Sequence, residues 1–113
     1  MNKIYSMIGL AYKAGRVVSG EDPVRNAIRS GKVKLLIISE DASKNTHKRF
    51  KNAAEYYKVE KSIWGSKEQL GASMGKSERS VIGITDDNFG RSLKEMMVAD
   101  GIKKEKPGGE LLE

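Results

Sequence analysis

The middle of the chain contains the run Lys34-Leu35-Leu36-Ile37-Ile38-Ser39, which carries the strongest evidence about the fold. Its apolar residues are continuous rather than alternating with polar ones. Such a run is typical of a strand that helices cover on both faces of a sheet. We therefore predict that this run is a central strand lying between two layers of helices.

Helix-like and strand-like segments alternate on both sides of this run. The predicted helices cover residues 4–14, 20–31, 43–57, 66–75 and a last segment around 89–97. The predicted strands are 16–19, 34–39, 62–64 and 80–84. In the fourth helix, Ser66 and Gln69 have the spacing of a capping box, and in the third, Tyr57 is expected on the core side. The alternation predicts an α/β protein with a helix-sheet-helix sandwich.

At 113 residues, the chain is long enough for one hydrophobic core. We expect a single domain over residues 1–100. In residues 101–113, the apolar residues show no helical or strand periodicity, and the charges of three lysines are balanced by those of three glutamates. That composition predicts a flexible C-terminal tail.

Composition excludes several classes of function. The chain has no cysteine, which rules out disulfides, thiolate zinc sites and cysteine nucleophiles. It has no secretory signal and no apolar stretch near the roughly 18 residues of a membrane span, so we expect a cytoplasmic protein without a membrane partner. A net charge of +6 and a pI of about 9.6 indicate a polyanionic partner. Residues 1–34 contain seven cations and two carboxylates, so the basic character is concentrated there.

The segment Gly71-Ala72-Ser73-Met74-Gly75-Lys76-Ser77 is similar to a phosphate-binding loop. That loop needs four residues between its glycines and runs from a strand into a helix. Three residues intervene in this segment, which is predicted to leave a helix and enter a strand. We interpret Gly75 as a helix-ending glycine, with a nucleotide-dependent enzyme as the alternative.

Other polar and aromatic residues also allow two interpretations. His47 lacks a second histidine or paired carboxylate at ligand spacing, so we expect a surface residue and no metal site. Glu40 and Asp41 follow the central strand, and we interpret Asp41 or Ser43 as the cap of the next helix, with a direct functional role as the alternative. Trp64 is expected in the core. Exposed aromatics on a basic surface can stack on bases, but Tyr56 and Tyr57 do not interleave with the main basic cluster in the sequence.

The stretch from residue 16 to 34 combines several features of a binding surface. Gly20 opens a helix whose first amide groups have no helical partner and can bind phosphates or base acceptors. Arg25 and Arg29 lie four apart on one helix face. The flanking cations are Arg16, Lys32 and Lys34. We interpret this stretch as a polyanion-binding surface, and the alternative is a solvated basic helix.

Several blocks of the chain, in this order, carry a family resemblance. The blocks are Gly9-Leu10-Ala11, Lys13-Ala14-Gly15, Val17 to Asp22, Lys34 to Thr46, Tyr56 to Val59, Leu70-Gly71 with Gly75-Lys76, and Val81 to Asp86. Together they resemble the YlxQ-type branch of the ribosomal protein family that recognises kink-turn RNA. The resemblance implies a three-layer α/β/α sandwich around a four-stranded mixed sheet, with no catalytic activity and no cofactor.

In kink-turn binders of that family, the start of the second helix enters the opened groove at the kink, and a loop before the last strand supports an extruded nucleotide. By position, Gly20 and Glu21 would supply backbone contacts. Asp22 stands where these binders commonly have asparagine, Pro23 where they often have glutamate or another polar residue, and Asn26 where they usually have lysine. The predicted RNA-binding residues are Gly20, Glu21, Asp22, Arg25, Asn26, Arg29, Glu40, Lys76, Arg79 and Ser80.

The predicted function is non-enzymatic binding of structured RNA, either kink-turn-like or ribosomal, by a monomer associated with the ribosome or with translation. The alternative is a protein-interaction module that docks on an acidic, translation-related partner.

Overall fold

The computed structural model describes residues 2–100, so the predicted tail lies outside the described residues. The described elements are α1 (Lys3–Lys13), β1 (Val17–Ser19), α2 (Glu21–Arg29), β2 (Leu35–Ile38), α3 (Lys44–Tyr57), β3 (Lys61–Ile63), α4 (Lys67–Ser73), β4 (Val81–Ile84) and α5 (Asp87–Ala99). Their order confirms the predicted alternation of helices and strands.

The strands form a four-stranded mixed sheet in the order β1-β4-β2-β3. β4 pairs antiparallel with both β1 and β2, whereas β2 and β3 are parallel. The apolar run at residues 35–38 is therefore an inner strand, as predicted, and all four of its residues are buried.

Helices cover both faces of this sheet. Alternate side chains of β2 point to opposite faces, so Leu35 and Ile37 pack with α1, α4 and α5, whereas Leu36 and Ile38 pack with α2 and α3. Each such fully buried aliphatic side chain contributes about 1.5–3 kcal/mol. Burial on both faces explains why the run is continuously apolar, and it confirms the three-layer α/β/α sandwich.

Two local predictions about the helices need correction. The Ser66 hydroxyl accepts from the Gln69 amide at 3.2 Å, but the Ser66 amide donates to the hydroxyl of Tyr5. The expected capping box is thus completed by a side chain of α1 rather than by Gln69. Tyr57 was expected on the core side of α3, yet it is 41% exposed because it lies at the end of that helix.

Of the two residues predicted to cap α3, Ser43 does so, and Asp41 caps a different helix. α3 begins after Ser43, whose hydroxyl accepts from the amide of Thr46. Asp41 accepts instead from the amide of Lys67, the first residue of α4, at 2.9 Å. This hydrogen bond lowers the pKa of the Asp41 carboxyl. Asp41 therefore connects the loop after β2 to the start of α4.

Trp64 is in the core, as expected, and is 7% exposed. Its ring lies against that of Tyr5, with 4.5 Å between the ring centroids. None of the helices in the described part of the chain has the length and apolar character that a membrane span requires.

Candidate nucleic-acid interface

Strand pairing brings three separate segments to one end of the sheet. Ser19 at the end of β1 is opposite Ile82, and Ile38 at the end of β2 is opposite Val81. Because β4 begins where β1 and β2 end, the start of α2, the loop after β2 and the loop before β4 are neighbours. We call this end the α2 edge, and it comprises residues 20–22, 40–43 and 76–80.

Among the described residues, the start of α2 presents two amide groups without a hydrogen-bond partner. Gly20 has a φ of 93°, a conformation that suits glycine, and its amide donates to the carbonyl of Val81 at 3.1 Å. Glycine has no side chain to cap the helix, and Pro23 has no amide hydrogen. The Val24 amide is already bonded to the Gly20 carbonyl. The amides of Glu21 and Asp22 therefore remain for an acceptor outside the helix.

The side chain of Glu21 is held by α3. Its Oε2 atom accepts from the hydroxyl of Thr46 at 2.9 Å, and Oε1 forms an ion pair with Arg49. Burial alone would raise the pKa of Glu21, but the hydrogen bond from Thr46 and the Arg49 guanidinium outweigh it, so the pKa is lowered. Glu21 thus positions the start of α2 and leaves its backbone amide for a ligand.

Arg79 connects the loop before β4 to the end of β1. Its Nε donates to the hydroxyl of Ser19 at 3.2 Å, and Nη1 donates to the carbonyls of Ser77 and Glu78. Within the described part of the chain, Nη2 takes no part in these hydrogen bonds. A guanidinium has five N–H groups, so the two on Nη2 can bind an anion beside the start of α2.

Asp22 and Arg25 form an exposed ion pair at the same end of α2. Arg25 Nη2 lies 2.9 Å from Asp22 Oδ1, and the side chains are 42% and 80% exposed. Pairs this exposed are worth about 0–1 kcal/mol, so a phosphate can displace the carboxylate from Arg25. The pair also offsets the negative charge of Asp22 beside the free amides.

The other predicted residues of this region differ in exposure. Glu40 and Lys76 are exposed, and Lys76 Nζ lies 5.7 Å from the ring centroid of Tyr12 in α1. Ser80 is half-buried, and its carbonyl accepts from the Ser39 amide. Asn26 is exposed in the middle of α2. Of these, Glu40, Lys76 and Ser80 belong to the α2 edge.

The structure separates Arg29 from the α2 edge. Arg29 is eight residues beyond Glu21 in α2, or about 12 Å along the helix. It lines a cleft at the opposite end of the sheet with Lys34 and Tyr57. Arg16 also lies at that end, since its carbonyl accepts from the Thr85 amide after β4. The prediction that Arg16 and Lys34 flank the binding surface at the start of α2 is therefore wrong.

The segment that resembles a phosphate loop is not arranged as a nucleotide-binding loop. The amides of Met74 and Lys76 donate to the Gly71 carbonyl, and that of Gly75 donates to the Ala72 carbonyl. Amides used to end α4 are not available to a nucleotide. Residues 2–100 also contain no group of three or more histidine, aspartate or glutamate side chains placed to hold a metal ion.

Sequence reasoning missed the residues that hold Glu21. From the sequence, one can see only that Thr46 and Arg49 lie one helical turn apart on α3. Their common partner is 25 to 28 residues away. Only the packing of α2 on α3 brings the three side chains together.

Comparisons with known proteins agree with this fold. Residues 2–94 match the ribosomal protein L7Ae/L30e/S12e/Gadd45 family. The chain is 43% identical to the RNA-binding protein YlxQ of Bacillus subtilis (strain 168), over 79% of this chain and 89% of that protein. It is 36% identical to the RNA-binding protein YlxQ of Enterococcus faecium, over 84% of this chain and 91% of that protein.

Two solved structures share the architecture. A protein of unknown function from Bacillus halodurans superposes with a TM-score of 0.83 and 35% identity, over 87% of this chain and 99% of that one. The 15.5kD RNA binding protein of Giardia lamblia superposes with a TM-score of 0.73 and 20% identity, over 90% and 92% of the two chains. The chain therefore belongs to the ribosomal protein L7Ae/L30e/S12e/Gadd45 family and, within it, to the YlxQ-type branch.

Proposed function

We propose that this protein binds structured RNA through the α2 edge, without catalysing a reaction, and that kink-turn-like RNA is its preferred ligand. We further propose that it acts as a monomer in the cytoplasm, in association with the ribosome or with translation. Family membership supports RNA as the partner, as do the two relatives that are named RNA-binding proteins.

The hydrogen bond between Arg79 and Ser19 carries the assignment to the α2 edge. It joins residues 60 positions apart and holds a guanidinium beside the two free amides at the start of α2. Amides at a helix start and an arginine are both donors to phosphate oxygens and to base acceptors. The α2 edge can thus contact backbone and bases at one point of an RNA.

The shape of the RNA determines whether such a surface can reach the bases. In an ordinary A-form helix, the major groove is too narrow for protein groups, so the base edges in that groove cannot be reached. A sharp bend opens the groove and exposes base edges to the start of a helix. We therefore expect the α2 edge to prefer a kinked RNA over a continuous duplex.

The test is a fluorescence anisotropy titration of the full chain with a labelled kink-turn RNA and with a continuous duplex of equal length. We expect tighter binding of the kink-turn. We also expect Arg79→Ala to weaken it and to flatten the log-log salt dependence by about 0.7–0.9 for each phosphate that the protein no longer neutralises. Arg91→Ala removes the same charge from the exposed side of α5 and is the matched control.

Equal affinity for the two RNAs would contradict the preference for a kink. Equal losses in Arg79→Ala and Arg91→Ala would contradict the assignment to the α2 edge. Retention of an acidic protein partner after nuclease treatment, without any RNA binding in the titration, would support a protein-interaction module instead.

A further inference from the structure

A second concave surface lies at the end of the sheet opposite the α2 edge. It is bordered by the last turns of α2 and α3 and by the first turn of α5. We call it the Tyr57 cleft, and its polar lining comprises Arg29, Lys34, Tyr57, Lys58, Glu60 and Asp87. None of these residues belongs to the α2 edge, so the cleft is a separate surface.

One exposed tyrosine lines this cleft, and its neighbour in the sequence is also exposed. Tyr57 lines it and is 41% exposed, and the neighbouring Tyr56 is 78% exposed. Their rings meet edge to face, with 4.8 Å between the centroids and 77° between the planes. Aromatic rings usually bury much of their surface, so a solvent-facing pair is available to stack on a ligand ring. Every nucleobase can stack on such side chains, so this kind of binding does not depend on the RNA sequence.

Cations from three separate segments line the cleft together with Tyr57. Arg29, Lys34 and Lys58 are all exposed, and they come from the end of α2, the approach to β2 and the end of α3. Each is free of ion pairs among the described residues. Of the two carboxylates in the lining, that of Glu60 is paired with Lys94, which leaves Asp87. The cleft therefore has a net positive charge.

We infer that the Tyr57 cleft binds single-stranded RNA, with a base stacked on Tyr57 and the adjoining phosphates at Arg29 and Lys58. This combination of aromatic rings and cations fits a flexible strand, because an unpaired base can turn onto a ring while its backbone follows the cations. A paired base in a duplex cannot do so. The inference rests on the proposed function, because the bound strand would be a single-stranded extension of the structured RNA that the α2 edge binds.

The experiment measures binding of a labelled oligoadenylate of about 10 nucleotides to the full chain by anisotropy. We expect Tyr57→Ala to weaken binding about tenfold, as for removal of one stacked base, and Tyr57→Phe to retain it because the ring is kept. Arg29→Gln should flatten the log-log salt dependence by about 0.7. Arg29 is exposed at the surface, so this variant tests the cleft without disturbing the core.

The same variants are titrated with the kink-turn RNA lacking a single-stranded extension. We expect Tyr57→Ala and Arg29→Gln to bind it as the unaltered protein does, and Arg79→Ala to bind oligoadenylate normally. If oligoadenylate binding needs Tyr57 while the kink-turn is not preferred, the proposed function fails and the inference stands. If Tyr57→Ala binds oligoadenylate unchanged, or if Arg79→Ala alone abolishes that binding, the inference is overturned.

Discussion

The hydroxyl of Thr46 donates a hydrogen bond to Oε2 of Glu21 at 2.9 Å, joining two residues 25 positions apart. Thr46 is buried in the first turn of α3, whereas Glu21 is the first residue of α2. The contact sets where α2 begins relative to the sheet. The free amides of the α2 edge therefore depend on a carboxylate that need not touch RNA through its side chain.

Glu21→Gln should destabilise the fold by about 1 kcal/mol near neutral pH, because the charge facing Arg49 is lost from a partly exposed site. The pKa of Glu21 is lowered on folding from an ordinary value of 4.5. The ionised group consequently stabilises the protein above that value, and this contribution is lost as the pH falls through the lower pKa of the folded state.

Urea denaturation across a pH series measures this effect. The difference in unfolding free energy between the unaltered protein and Glu21→Gln should be largest near neutral pH and should disappear in acid. Glu68→Gln, on an exposed position of α4, is the control and should show little difference at any pH. A difference for Glu21→Gln that does not vary with pH would contradict the role of its charge.

Gly71→Ala and Gly90→Ala should have opposite effects on stability, although both replace a glycine inside a helix. A Cβ at Gly71 would lie 1.9 Å from the carbonyl oxygen of Ser77, so the loop must shift, at a cost of about 1–3 kcal/mol or more. A Cβ at Gly90 would make ordinary contacts at 3.6 Å and would gain up to about 1 kcal/mol of helix propensity. Thermal unfolding compares the two variants, and equal shifts would show that the close approach is unimportant.

Tyr5→Phe should destabilise the protein by about 1 kcal/mol, because the Ser66 amide loses its acceptor while the ring remains against Trp64. The measurement is the midpoint of urea denaturation. Tyr12→Phe removes a hydroxyl from the same helix and is the control. If both variants unfold at the same midpoint, the hydroxyl of Tyr5 has no special role at the start of α4.

Asn26→Lys should raise affinity for a kink-turn RNA about fivefold or more, because it restores a cation that can reach guanine acceptors and phosphates. Asn26 is exposed, so a lysine fits there without repacking. Ser30→Lys adds the same charge one turn further along and is the control. Gel shifts with the kink-turn and with a continuous duplex compare the variants, and an equal gain for both lysines would indicate a non-specific effect of charge.

The sequence predicted the secondary structure well because its signals are local. The apolar residues of β2, the hydroxyl of Ser43 before α3 and the glycine after α4 each act on neighbours within a few residues. A continuous apolar run also implies burial on both faces, which is enough to infer a sandwich. The start of α2 was identified for the same reason, since Gly20 and the acidic residues after it mark a helix start.

The partners of individual side chains were harder to predict. Asp41 was one of two candidate caps for the next helix along the chain but binds α4, and the Ser66 amide is satisfied by Tyr5 from α1. Nothing in the sequence relates Tyr57 to Arg29, yet they share a cleft. In each case the true partner lies far along the chain, where local spacing carries no information.

By itself, the sequence determined the nine elements of the described residues, the layered fold and the presence of an amide-bearing helix start, because periodicity and capping operate over a few residues. Only the tertiary structure decided which cations share a surface. The pairing of β1 and β2 with β4 sets Arg79 beside Ser19, and it separates Arg29 and Lys34 to the opposite end of the sheet. Cations that are close together in the sequence therefore lie on two different surfaces, because strand direction, rather than sequence distance, determines which loops meet.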